Sequence, residues 1–430
     1  MSLPNRMLHH AAFFEALAGM EESSSTWPAT AAGLVVLRFV EAWLEEGAAV
    51  AAADGWSLRA AREAVDEVSP TSPTRAILSG VLDAVAAHPA TAPVSVGVVA
   101  PRLMAYGRAL DFDGQLRLAA DVYRTLVAHA HPAEEPDVAI DASMQLGFCL
   151  RRLGELDEAA AAYAQAGGAA EAAGDLMRAL RAQVADAKIA IARGNLPRAE
   201  EILDRTIAAA AKNEFTELQG MTLHDRAVVA HLRGEYERAV RIGYEALGRL
   251  HSPTARDRVL GDLAASFIHL GVRSAARDAL LVLAATAQEQ YSRWLATINL
   301  MELEAMDGCE PRFEEYRRQL DGLSLPPVLQ AEYYFSLGEA HRIFDHVEQS
   351  RQALTRAVDV AAAHGLNEHL FRAERALAEL ETSARQAERE ERRRMAQSVP
   401  ANAAPESLSD VVTALGDMRA AVGAGGMAGR

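Results

Sequence analysis

Lysine is almost missing from this chain: Lys188 and Lys212 are the only two in 430 residues, and arginine carries nearly all the positive charge. With a formal net charge of −16, the sequence offers no basic face of the kind that neutralises phosphates, which argues against generic nucleic-acid binding. Cysteine is as scarce. Cys149 and Cys309 cannot build a disulfide framework and are expected to be free thiols in a reducing compartment. Long apolar runs are absent too. The longest, Ala29–Val40, is interrupted by Arg38 and is too short to span a bilayer. The first twenty residues contain His9, His10 and Glu15 and lack the basic start and clean apolar core of a signal peptide. The expectation is a cytoplasmic protein with no membrane and no nucleic-acid partner.

Catalytic signatures are also missing. There is no Gly-rich lysine loop for phosphates, no HExxH, no paired CxxC and no GxSxG elbow. His341 and His346, like His364 and His369, are five apart and so expected on different helix faces, whereas zinc needs three or four convergent ligands. No enzyme activity, cofactor or metal is expected.

What the sequence does contain is helix-forming composition and a repeat. Ala, Leu, Arg and Glu dominate, and only Val94–Val99 hints at strand-like alternation. A small residue, a break seven positions later and then a stripe of Ala and apolar residues recur seven times. The breaks are Gly114, Gly154, Gly194, Gly234, Gly271, Gly308 and, in degraded form, Asp345, spaced 40, 40, 40, 37, 37 and 37 residues apart. A fixed period of this size means stacked supersecondary units. In the second unit Leu146, Gly147 and Leu150 lie on one helix face, Gly154 breaks it, and Ala159, Tyr163 and Ala166 form the stripe of the next helix. Small residues at Gly147 and Ala159 let the two helices approach, with Tyr163 expected to fill the gap toward the next repeat. The fourth unit has Gly243 where an apolar residue is expected, between Ala239 and Ala246. Glu304, Arg317, His341 and Ser350 stand at usually apolar or small positions and are expected to weaken regular stacking there. Pro101, Pro136, Pro253, Pro326 and Pro327 mark helix starts.

This skeleton resembles the tetratricopeptide repeat family, best in Leu146-Gly147 through Ala166 and in Leu337-Gly338 through Ala357. The likeness covers about residues 94–381 and exceeds the family's usual 34-residue length by three to six residues, implying longer helices or longer turns. Such lengthened repeats look like those of peptide-binding bacterial regulators or of maltose-regulator-type superhelices. The resemblance implies an all-α, right-handed superhelical solenoid of antiparallel helix pairs. Three regions are expected: 1–93, a helical cap or degenerate repeats with helices at Ala31–Ala53, Ser57–Val68 and Thr74–His88; 94–381, about seven repeats plus the capping helix Asn367–Glu381; and 382–430, a charged helix over Ala384–Gln397 containing Arg392-Arg393-Arg394, a linker, and a flexible tail with a short amphipathic helix at Ser407–Val422.

The resemblance also implies that the first helix of each pair lines a concave groove. The inward positions then hold Met104, Arg108, Gln145, Phe148, Arg152, Lys188, His224, Asp225, His231, Asp262, His269, Asn299, Glu302, Glu339 and Arg342. Early members of this set tend to be basic or apolar and later ones acidic, a gradient that could orient a bound segment. The family's clamp for a C-terminal carboxylate is matched only by Lys188 among Met144, Phe148, Val184 and Lys188, so a chaperone-adaptor role is not implied; Lys188 is a candidate for a carboxylate all the same. The function expected is a non-enzymatic scaffold that binds a protein or peptide partner in its groove. A sensor domain of a bacterial-type regulatory system and a self-assembling subunit are the alternatives, and the Ser407–Val422 segment is a candidate for self-association or docking into the groove.

Overall fold

The computed structural model describes residues 9–47 and 57–398, and among them every regular element is helical, nineteen α-helices and one 3-10 turn. The helices are short-looped, antiparallel and packed in chain order, a tetratricopeptide-like repeat fold. Two compact units divide the chain, Met1–Arg375 and Ala376–Arg430. The repeats lie in the first.

Four helices precede the repeats: α1 (Ala11–Gly19), α2 (Trp27–Glu46), α3 (Leu58–Asp66) and α4 (Pro73–Ala86). Helix α1 was not anticipated. It is tied down at its start, where the Ala12 amide donates to Asp121 Oδ2 at 3.1 Å and His10 Nε2 lies 3.0 Å from Glu41 Oε2. The end of the helix expected over Ala31–Ala53 lies outside the described residues. The Val94–Val99 segment forms the 3-10 turn Val96–Val98 rather than a strand.

Seven helix pairs then follow in the expected register: α5 (Ala100–Phe112) with α6 (Leu116–His129), α7 (Pro136–Arg152) with α8 (Leu156–Ala172), α9 (Leu176–Ala192) with α10 (Leu196–Lys212), α11 (Thr216–Leu232) with α12 (Tyr236–Leu247), α13 (Pro253–His269) with α14 (Arg273–Thr286), α15 (Gln290–Met306) with α16 (Glu310–Leu320), and α17 (Pro327–Ile343) with α18 (Val347–Ala363). The last helix, α19, runs unbroken from Asn367 to Ser398, spanning what the sequence suggested as two helices. The Arg392-Arg393-Arg394 side chains and the Ser407–Val422 segment fall outside the described residues.

Helix lengths explain the two gauges. From α7 to α11 every helix has 17 residues, joined by three-residue turns. The 40-residue period is therefore two equal halves of 20. Each half ends on a left-handed residue, Gly154, Gly174, Gly194, Glu214 and Gly234 in turn. The amide after it bonds back to the carbonyl five residues earlier, as in Glu155 to Leu150 at 2.9 Å and Asp175 to Ala170 at 2.8 Å. That is the Schellman closure, which glycine makes without a Cβ penalty. The 37-residue gauge arises because the second helices shrink to 12, 14 and 11 residues in α12, α14 and α16 while the first helices keep 17.

In the first, second and seventh repeats close helix approach depends on a reciprocal pair. A Cβ at Gly107 would lie 2.5 Å from the Tyr123 ring, one at Gly147 2.5 Å from Tyr163, and one at Gly338 2.6 Å from Leu354. Tyr163 thus fills space against its own repeat's first helix, not toward the next repeat as expected. Burying a ring this way contributes about 2–3 kcal/mol. The polar intrusions are only partly satisfied within the fold: Glu304 Oε2, His341 Nδ1 and Ser350 Oγ are buried without a hydrogen bond. Glu304 is 1% exposed and takes Arg277 Nε from the preceding repeat at 2.8 Å. Arg317 bonds Glu314 and Asp321 at 2.8 and 3.2 Å, and His341 sets its ring edge-on to Phe313. The buried atoms without a hydrogen bond are a physical ground for the weaker stacking expected there.

Candidate functional site

Every sequence-selected groove residue falls on a first helix, from Arg108 on α5 to Glu339 and Arg342 on α17. These helices lie side by side, and polar side chains link each to the next. Arg152 on α7 bonds Asp111 on α5 at 2.5 Å, with its guanidinium over the Phe148 ring. Arg178 on α9 meets Asp137 on α7. Lys188 Nζ lies 3.2 Å from Asp225 Oδ1 on α11, so the carboxylate this lysine holds is the protein's own. His224 Nε2 sits 2.5 Å from Asp262 Oδ2 on α13, and His231 Nδ1 2.9 Å from Ser266 Oγ on the same helix. Ser336 on α17 donates to Glu302 on α15 at 3.4 Å, and Glu332 takes Arg372 from α19 at 2.7 Å. Most rungs of this ladder pair opposite charges.

The first helices also face one another across the array. Gly114, at the first repeat's turn, is buried, unlike the exposed glycines at the five breaks that follow. A Cβ there would lie 2.9 Å from Pro327 Cγ at the start of α17. Tyr291 on α15 has its phenol pushed above the ordinary value, by burial first. Arg152 and Arg258 act against that shift, while Glu332 and Asp111 add to it. His369 on α19 is pushed down by burial first, and Glu332, Arg372, Glu368 and Arg152 all act on it. Arg152 in the second repeat therefore acts electrostatically on Tyr291 of the sixth repeat and His369 of α19. Burial also raises the Glu302 carboxyl, reinforced by Glu332.

Around α11 and α13 the site becomes aromatic. The Tyr236 and His269 rings stack at 4.6 Å, and His231 is edge-on to both at 5.2 and 5.1 Å. Burial first, then His269, lowers the His231 pKa. Beside these rings is a cavity of about 60 Å³ lined by His224, His231, Gly243, Leu263 and Asp262 among others. A larger cavity of about 490 Å³ lies between α1, α2 and α6, lined by His9, His10, Glu41, Arg117, Asp121 and Arg124 among others.

The structure thus brings His224, His231, Asp262 and His269 together and joins Lys188 to Asp225. Glu339 and Arg342 pair with each other on α17. Arg108 is exposed on α5, while Gln145 and Asn299 are half-buried on α7 and α15. Asp111, Arg178, Tyr236, Tyr291, Glu332, His369 and Arg372 were missed. Their roles come from neighbours one repeat away or from the facing side of the array, and neither relation leaves a local sequence signal. Among the described residues no group of three or more His, Cys, Asp or Glu is placed to hold a metal ion, and no helix is long and apolar enough to cross a membrane. His341 and His346, expected on different helix faces, have ring centroids 5.7 Å apart because Asp345 turns the chain between them.

No family model matches the sequence, and no curated protein matches it. Among solved structures, the chain is similar to a tetratricopeptide repeat protein from Parabacteroides merdae, at 16% identity and a TM-score of 0.41, covering 64% of this chain and 98% of that one. It is similar to the Rap conjugation gene regulator of the plasmid pLS20, solved in complex with the Phr* peptide, at 12% identity and a TM-score of 0.46, over 82% of this chain and 96% of that one. The apo form of the quorum sensor NprR from B. thuringiensis matches at 14% identity and a TM-score of 0.45, over 81% and 92% of the two chains.

Proposed function

We propose that this protein is a non-enzymatic interaction scaffold that binds a linear peptide segment, or the end of a partner chain, along the first-helix face of its repeats. The observation that carries this reading is the ladder of polar pairs that links successive first helices, with Gly114 of the first repeat lying against Pro327 of the seventh. Such a surface offers charges of both signs, half-buried rings and small recesses along a line. That suits an extended chain better than a small compact substrate.

The test is selection of binding peptides from a random display library on the immobilised full chain, followed by affinity measurement. Asp262→Arg, on a first helix, is expected to weaken the selected peptides at least tenfold. Arg205→Glu, exposed on the second helix α10, is expected to leave them within twofold. No enrichment, or equal loss in both variants, would overturn the proposal.

A second reading, a sensor whose ligand changes the pitch of the array, draws on the contact between Gly114 and Pro327. A pitch change must open or close that contact. Selected peptides would then change the scattering radius of wild type, and a radius unmoved at saturation would dismiss it.

A further inference from the structure

The fourth repeat departs from the small-against-large pairing of Gly107 with Tyr123, Gly147 with Tyr163 and Gly338 with Leu354. At the second-helix position that packs against the first helix, the repeats carry Tyr123, Tyr163, Leu203, Gly243, Leu280, Arg317 and Leu354 in order. Where a large ring sits there, its opposite number is glycine, as with Gly107 and Gly147. In the fourth repeat the opposite number is Ala227, so both partners are small.

The cavity of about 60 Å³ lies beside these two small residues, with the Leu263 side chain 3.0 Å from where a Gly243 Cβ would stand. Its inner wall is Ala227, Ala239, Val259 and Leu263, with Gly243 at the base; its rim is His224, His231 and Asp262. The inner wall offers water few partners, although the space exceeds the roughly 10–15 Å³ that one water needs. The rim is held in place. His231 is fixed by Ser266 and by the Tyr236 and His269 rings, and Asp262 is held by His224 while its side chain stays 55% exposed. Asp262 thus sets a carboxylate at the mouth, hydrogen-bonded to His224 on one side and open to solvent on the other.

We propose that this recess is a ligand subsite that takes a branched aliphatic group, with a cationic group next to it received by Asp262. In the peptide reading, on which this rests, it would seat a leucine-like side chain beside a basic residue. The aliphatic group replaces the side chain that Gly243 lacks, and Asp262 supplies charge complementarity at the opening.

The probe is 3-methylbutylamine, compared with 3-methylbutanol and 3-methylbutanoate, added to the full chain with labelled Leu and Val methyls and followed by NMR. The amine is expected to shift the Leu263 and Val259 methyls and the His231 and His224 rings in a saturable way. The alcohol should bind several-fold more weakly and the carboxylate more weakly still. Gly243→Leu fills the recess and is expected to abolish the shifts. Gly243→Ala should keep them, since its Cβ would meet only the flexible Leu263 side chain at 3.0 Å and Val259 farther off. Ala227→Leu fills the same space from the other helix, so the result does not hang on one variant's folding.

Absence of saturable shifts, or equal shifts in the filled variants, overturns the subsite. A carboxylate that binds as well as the amine overturns the role of Asp262. Failure here alongside library peptides that depend on Asp262 removes the subsite and leaves the groove reading. Saturable amine binding without any selected peptide does the reverse.

Discussion

Arg277 and Glu304 help join the fifth and sixth repeats through an ion pair, Nε to Oε1 at 2.8 Å, with Glu304 almost wholly removed from water. Arg277 Nη2 reaches on to Asp307 at 2.6 Å, and Arg312 stands 3.8 Å from the second Glu304 oxygen. A carboxylate at a core position is thus matched by an arginine on the repeat before it. Removing one partner strands a buried charge, whereas replacing both can be nearly neutral.

Arg277→Ala is therefore expected to destabilise the array by about 3 kcal/mol, somewhat offset by Arg312. Arg277→Met with Glu304→Met is expected to recover most of that loss. Denaturant unfolding of the single and double variants measures both. If Arg277→Ala unfolds at the wild-type midpoint, the pair does not hold these repeats together.

Glu214 and Asp345 occupy turn positions where the other repeats use glycine, at φ of 58° and 62°. Side chains with a Cβ are strained in that region. Glu214→Gly and Asp345→Gly are each expected to stabilise by about 1 kcal/mol, and Gly174→Ala to destabilise by a similar amount. Calorimetry on the three variants reads this directly. A lower melting temperature for either glycine variant would mean its side chain is needed elsewhere.

The pH dependence has two stages. Burial is the first cause that holds the imidazoles of His231, His341, His364 and His369 below 6.5. Each then takes up a proton more readily in the unfolded chain. Their contribution is full above pH 6.5 and is lost as the pH falls toward the folded values. Glu41 acts lower down. Burial alone would raise its pKa, but hydrogen bonds and charge from His10 and then His9 bring it from 4.5 to about 2. Its contribution is present above pH 4.5 and is lost as the pH falls through that value toward 2. Unfolding midpoints between pH 8 and 3 should decline in both windows, the second being reduced by Glu41→Gln and the first by His231→Gln. Profiles unchanged by these substitutions would reject the assignment.

The helix pairs were legible because periodicity is local. Gly107, Gly147 and Gly338 at one position and the prolines at helix starts each declare a single turn or close approach. The half-period of 20 was in the sequence too, but Glu214 stands where its glycine should, which hid it. Gly243 was visible as an anomaly, and Ala227 across from it turned the anomaly into a cavity. Arg152 and Tyr291 could not be paired from the sequence. They are far apart along the chain, and their nearness depends on how small rotations between repeats add up.

That accumulated rotation has a consequence for access. Where Gly114 rests on Pro327, the wall of the first repeat meets the wall of the seventh, and no side door opens at that point. Gly114 is thus a spacer as much as a turn: any side chain there would push against Pro327, so its missing Cβ sets how closely the first repeat approaches the seventh.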